Sequence, residues 1–172
     1  FHLQKAGMQG ASIDLRTSES AGGVQSIDMA LQMKEDAAKI GFDINVMREP
    51  TDGYWANTWM KHPFVGSNWM PRPTADLRFS LAYVSEAKWN EGFWHNDKFD
   101  GLIKAARGVL DGPERRQLYC DAQQIMWEEG ASIIPLFTHW LDAKSSKLGG
   151  YQNHPVGEGD GFRCHEWCWL ES

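Results

Sequence analysis

Long apolar stretches are missing from this chain. No run approaches the roughly 18 uninterrupted apolar residues that a membrane span requires, and the longest group, Ile133-Ile134-Pro135-Leu136-Phe137, is strand-sized. Basic residues are also scarce: 17 Lys and Arg against 23 Asp and Glu leave a net charge of −6. No basic stripe offsets this, so the electrostatic footprint of a phosphate-backbone binder is absent and nucleic acid is excluded as a partner. Cysteines number three, enough for at most one internal disulfide. A chain of 172 residues with 42% apolar content can build a core without one, which leaves the redox setting open. The opening Phe1-His2-Leu3-Gln4-Lys5-Ala6-Gly7 lacks a starting Met, a cationic segment and an apolar one, and is expected to have been made by processing or cutting. These bounds describe one globular domain, or a large piece of something bigger.

Catalytic signatures are equally thin. Gly66-Ser67-Asn68-Trp69 lacks the second glycine of a nucleophile elbow. The turn from Ser18 to Gly23 could offer backbone amides to an anion, yet it has neither the dinucleotide fingerprint nor a phosphate-loop lysine. His62, His95 and His139 are scattered. Cys164-His165 and Cys168, with His154, carry zinc-ligand types but not the paired knuckles of a structural zinc site. Cys164 and Cys168 would share one face if the tail is helical, and a disulfide there would be strained. Cys120 is expected to pack within a helix. Glu128-Glu129 reads as a solvated face, and no acid pair stands out as a hydrolytic dyad. No metal and no cofactor is expected.

What is present alternates strand and helix. Ser12 to Arg16 alternates like a strand; Ala30, Met33, Ala37 and Ile40 then recur at helical spacing until Gly41 supplies a stop, and Phe42 to Val46 is again a strand. This predicts a βαβ unit with parallel pairing and a right-handed crossover. Tyr54 to Trp59 suits a short helix. Further on, Asp97 and Asp100 flank a helix start whose apolar face is Phe99, Leu102, Ile103 and Ala106. Asp111-Gly112-Pro113-Glu114 has the spacing of a capping box ahead of Leu118, Ala122, Ile125 and Met126, with Gly130 as the end. Ser132 to Phe137 reads as a buried strand, and the chain from Gly149 onward as loop, with Gly157, Gly159 and Gly161 closely spaced. The fold class is α/β, a mixed sheet flanked by helices.

Function is expected where aromatics crowd a loop. Asn68-Trp69-Met70-Pro71-Arg72-Pro73-Thr74-Ala75-Asp76 combines an indole, a guanidinium and two rigid prolines in a segment too polar and kinked for core. Nine tryptophans is a heavy load, and Trp55, Trp59, Trp69, Trp89 and Trp94 fall in the middle third. Aromatic cleft walls bury apolar ligand surface while keeping a polar N–H handle, so a binding cleft explains the crowding better than core alone. The candidate ligand-binding residues are Asn68, Trp69, Met70 and Arg72, with Trp59 and Tyr54 from the preceding segment.

The ordered set Ala37-Ala38-Lys39-Ile40-Gly41-Phe42-Asp43-Ile44-Asn45-Val46, Asp52-Gly53-Tyr54-Trp55, Trp69, Phe99-Asp100-Gly101-Leu102-Ile103-Lys104-Ala105-Ala106-Arg107, Arg115-Arg116-Gln117-Leu118-Tyr119, Gln123-Gln124-Ile125-Met126 and Ile133-Ile134-Pro135-Leu136-Phe137 resembles the C-terminal part of the family 5 extracellular solute-binding proteins of ABC transporters. That family includes oligopeptide, dipeptide and nickel binders. The resemblance implies a periplasmic-binding-protein-like fold of two α/β lobes closing on a small-molecule or peptide solute, which is then passed to ABC permease subunits. It implies a periplasmic or membrane-tethered extracellular setting and no enzymatic activity. Residues 1–148 would be the second lobe of a C-terminal fragment, the N-terminal lobe being missing, and residues 149–172 a tail running back toward that lobe. A hydrolase or metal-binding domain on a similar α/β lobe is the alternative.

The resemblance also singles out one position. Many peptide-binding relatives carry an Asp three residues after the matching Trp, where it pairs with the peptide's α-ammonium; here Arg72 stands there. A guanidinium cannot accept that ammonium, but its planar fork suits a carboxylate or phosphate. Arg72 either clamps an anionic group of the solute, with Trp69 against an apolar or ring face and Asn68 adding a hydrogen bond, or lies on the surface paired with Asp76, a contact worth under about 1 kcal/mol.

Overall fold

A computed structural model describes residues 1–22, 24–137, 139, 141–154 and 161–171. By its contacts the chain falls into two compact units, residues 1–69 with 88–94, and residues 70–87 with 95–172.

The first unit opens with α1 (His2–Lys5) and β1 (Ser12–Thr17), continues through a 3-10 turn (Glu19–Ala21) into α2 (Val24–Ala38), and returns as β2 (Asp43–Arg48) before the short α3 (Tyr54–Asn57). β1 and β2 pair in parallel, Ser12 opposite Asp43 and Thr17 opposite Arg48, as the βαβ pattern predicts. Leu15, Ala30 and Ile44 form the buried centre, with Ile13, Met33, Ala37, Phe42, Val46 and Phe64 packed on it. The strand side chains come from alternate positions and the helix ones from one face, so two periodicities meet in one core. Gly41, at φ 77°, closes α2: its N–H bonds to Ala38 O at 3.1 Å and the Phe42 N–H reaches back to Ala37 O at 3.1 Å. That pair of bonds is a Schellman ending, which needs the left-handed residue that glycine supplies at least cost.

β1 also has a neighbour on its other side. The Arg16 N–H donates to Phe64 O at 3.1 Å and the Gly66 N–H to Arg16 O at 2.8 Å, a parallel bridge between Arg16 and Val65. The strand-like step before the candidate loop thus meets β1 at a single parallel bridge.

The second unit holds α4 (Ala75–Ala82), α5 (Asp97–Gly108) and α6 (Pro113–Glu129), then β3 (Leu148–Gly149), α7 (Cys164–Trp167) and β4 (Trp169–Leu170). Phe99, Ile103 and Ala106 of α5 are buried, as are Ala122 and Ile125 of α6; Phe79 of α4 joins them, its ring 5.4 Å from Phe99 and 6.2 Å from Tyr119. Thr74 caps α4 by accepting from the Leu77 N–H at 3.2 Å, and Asn96 caps α5 by accepting from the Phe99 N–H at 2.9 Å.

Four local expectations need correction. α6 begins at Pro113 with Gly112 as its cap and no side-chain cap bond, so Asp111 lies one residue too early for a capping box. Cys120 is exposed, on the outer side of α6. Ser132 to Phe137 is neither buried nor a strand: Ile133 is 66% and Phe137 86% exposed, and no described residue pairs with it. The tail contains an antiparallel pairing of Leu148 with Leu170 and Gly149 with Trp169, a non-local contact that local sequence does not announce; Gly157 and Gly159 lie outside the described residues.

Candidate functional site

The Gly66 corner fixes where the candidate loop starts. A Cβ on Gly66 would lie 2.6 Å from Thr17 Oγ1, so the close approach to β1 requires glycine. Below it, Tyr54 is 1% exposed, with its hydroxyl 2.6 Å from Gly66 O and 3.2 Å from Arg16 O. The single hydroxyl proton favours the nearer carbonyl. Burial, with the negative charges of Glu49 and Glu91 adding to it and the Gly66 bond opposing, pushes the Tyr54 hydroxyl up to about 12. Tyr54 therefore sits beneath the loop as a strut.

Beyond Gly66, three donors converge on one carboxylate. Ser67 Oγ donates to Glu91 Oε1 at 2.8 Å, Trp69 Nε1 donates to the same oxygen at 2.9 Å, and Trp59 Nε1 donates to Oε2. Glu91 is carried by a tight turn that Asn90 closes: its Nδ2 donates to Trp94 O at 2.6 Å and its Oδ1 accepts from the Trp94 N–H at 3.1 Å. Asn90 is buried, so the turn is fixed from inside. The indoles form a continuous file, with centroids 5.5 Å apart for Trp55 and Trp59, 6.5 Å for Trp59 and Trp89, and 5.8 Å for Trp89 and Trp69. Such tilted and edge-on contacts are favoured over face-to-face stacking.

The structure thus brings Trp59 and Trp69 together through Glu91, with Asn68 exposed between the two tethered positions Ser67 and Trp69. Met70 follows, also exposed; Arg72 Nη1 donates to the carbonyls of Met70 at 3.1 Å and Pro71 at 3.2 Å, so the guanidinium folds over its own loop. Asp76 is engaged elsewhere, accepting from Arg107 Nε at 2.7 Å. Ser67, set aside as a nucleophile, spends its proton on a carboxylate. Glu91 escaped sequence reading, although an acid inside Trp89-Asn90-Glu91-Gly92-Phe93-Trp94 is a signal of a kind: a carboxylate surrounded by aromatics needs donors.

Other candidates stay apart. Cys164 opens α7 and Cys168 caps its end, and among the described residues no group of three His, Cys, Asp or Glu is placed to hold a metal. No helix of the described residues is long and apolar enough to cross a membrane.

No family model matches the chain. It is 26% identical to the dipeptide-binding protein of Escherichia coli (strain K12) over 91% of its own length and 31% of that protein. Among solved structures it is similar to the ABC transporter-associated periplasmic binding protein DppA from Helicobacter pylori in complex with peptide STSA, with a TM-score of 0.74 and 22% identity over 99% of this chain and 33% of that one. It is also similar to the oligopeptide-binding protein AppA from Bacillus subtilis in complex with a nonapeptide, with a TM-score of 0.62 and 20% identity over 94% of this chain and 32% of that one. The fold is periplasmic-binding-protein-like, and the chain spans about a third of each of these proteins.

Proposed function

We propose that this chain is one lobe of the substrate-binding component of an ABC importer, and that the Asn68 to Arg72 loop forms one wall of the solute cleft. The observation that carries this reading is the anchoring of that loop: Gly66 is pinned to β1, and Trp59 and Trp69 are tied to Glu91. A binding wall gains affinity when its aromatic surface is held in place before the solute arrives. The likeness to a dipeptide-binding protein and to two peptide-bound structures supports a peptide or peptide-like solute.

In this reading the loop presents Trp69 to an apolar or ring face, Asn68 and Met70 to the adjoining surface, and Arg72 to a carboxylate or phosphate. Trp59 backs the indole wall, and Tyr54 supports it from below. The first lobe of the same protein closes the cleft, and the loaded protein meets its permease outside the cytoplasmic membrane, in the periplasm or on a tether. In this reading the solute is bound and released unchanged, as the likeness to binding proteins suggests.

Calorimetry on the intact two-lobed protein tests the anion clamp. A tetrapeptide with a free C-terminal carboxylate should bind saturably without turnover, and Arg72→Asp should weaken it by roughly tenfold to a hundredfold, the scale of a charge-assisted bidentate contact. Unchanged affinity in Arg72→Asp would remove the clamp; time-dependent conversion of the peptide would remove the transport reading.

A further inference from the structure

The chain contains four Asp-Gly pairs, and the fold treats them differently. Asp100-Gly101 lies within α5, where the helix restrains the backbone and the Asp100 carboxylate accepts from the Ser85 N–H at 3.0 Å. Asp111-Gly112 stands ahead of α6 with Asp111 exposed, and Asp160 lies outside the described residues. Asp52-Gly53 combines exposure with restraint on both sides. Asp52 is exposed in the turn before α3, and among the described residues neither its carboxylate nor the Gly53 N–H has a partner. Gly53 has φ 76°, the left-handed conformation that glycine adopts at least cost, so the turn keeps here a residue whose amide nitrogen no side chain shields. On one side, Thr51 O accepts from Ser20 Oγ at 2.8 Å. On the other, Tyr54 is 1% exposed, with its hydroxyl on Gly66 O. Two residues thus span the interval between a tethered carbonyl and a buried ring.

We propose that Asp52-Gly53 is a site of spontaneous isoaspartyl formation, and that its product releases the Tyr54 strut from Gly66. The Gly53 amide nitrogen attacks Asp52 Cγ in its protonated carboxyl form; the carboxyl hydroxyl leaves with the amide proton as water, and a five-membered succinimide closes. One water then adds to the main-chain carbonyl carbon of that ring and restores the atoms lost. Gly53 is left joined through Cγ, with the α-carboxylate free and the mass unchanged. The main chain gains a methylene between Thr51 and Tyr54, where both neighbours are held. A longer link cannot keep both the Ser20 bond to Thr51 O and the buried position of the Tyr54 ring, so the hydroxyl bond to Gly66 O is lost. The proposal stands without the solute-binding reading, although the Gly66 corner it disturbs is where the candidate loop begins.

Ageing the chain in neutral buffer and mapping its peptides tests this. Isoaspartate is detected by transfer of a labelled methyl group from S-adenosylmethionine with protein isoaspartyl methyltransferase. It should form at Asp52 roughly tenfold or more faster than at Asp100, which reacts only after α5 opens, and at a rate within about tenfold of exposed Asp111. Asp52→Asn should reach the same product faster, with ammonia leaving in place of water, and Asp52→Glu should form none at that position. The isomerised chain, separated from the unaged one, should have its folded-to-unfolded ratio in urea lowered by roughly tenfold, the scale of one buried acceptor left unmatched. That loss should shrink in Tyr54→Phe, where the bond is already absent, because the two changes act on one contact. Absence of isoaspartate at Asp52, equal rates at Asp52 and Asp100, an isomerised chain as stable as the unaged one, or a loss undiminished in Tyr54→Phe would each overturn the proposal. Peptide binding by the intact protein is a separate measurement, so failure here and failure of the transport reading are distinguishable.

Discussion

The Tyr54 hydroxyl touches no ligand in the proposed cleft, yet the loop depends on it. Replacing Tyr54 with Phe leaves Arg16 O still bonded to the Gly66 N–H, but strips Gly66 O of its short partner. Tyr54→Phe should cost about 1–3 kcal/mol of stability, the range for a buried acceptor left unmatched. A pH dependence follows from the same bond. The folded-state value is raised from 10.0 to about 12, so the neutral hydroxyl stabilises the fold fully below pH 10 and that contribution is lost as pH climbs toward 12. Thermal melts of the wild type should therefore fall more steeply over that window than those of Tyr54→Phe; parallel slopes would show that the hydroxyl is not held as described.

Among the elements, α5 offers the cleanest test of local causation. Asn96 caps it by accepting from the Phe99 N–H, and Phe99 is itself fully buried. Asn96→Ala should cost about 0.5–2 kcal/mol in urea unfolding. That helix was legible because its signals are local: acidic residues at its start and an apolar face at helical spacing; the Asn96 cap came from the structure. β1, α2 and β2 were legible for the same reason, down to the glycine that closes α2. The Ile133 to Phe137 run shows where such reading stops. A short apolar run takes up strand structure only beside a partner, and local pattern carries no information about whether a partner is there. Asp111 shows a smaller failure, since a capping box is defined by register and Pro113 moved the helix start by one residue. Trp69 and Trp59 could be picked out by residue type. Glu91 could not, because its donors lie 32, 24 and 22 residues away along the chain.

For the molecule as a whole, the division into two units bears on what a single chain of this kind does alone. Every residue of the Glu91 cluster lies in the first unit, residues 1–69 with 88–94, so the cluster is assembled within that unit alone. In the proposed two-lobed protein solute capture would need both lobes, because a ligand held between two lobes buries most of its surface only when both are present. The fold class was readable from the alternation of strand and helix.

The bridge between Arg16 and Val65 has a consequence for time rather than for binding. With β2 on one side and the Val65 bridge on the other, β1 is bonded on both sides at Arg16, and core strands open at the highest free energies of a fold. In heavy water the Arg16 and Gly66 amides should be among the last of the first unit to take up deuterium, while residues 67–74 exchange early. The corner at Gly66 then keeps its place for as long as the first unit stays folded.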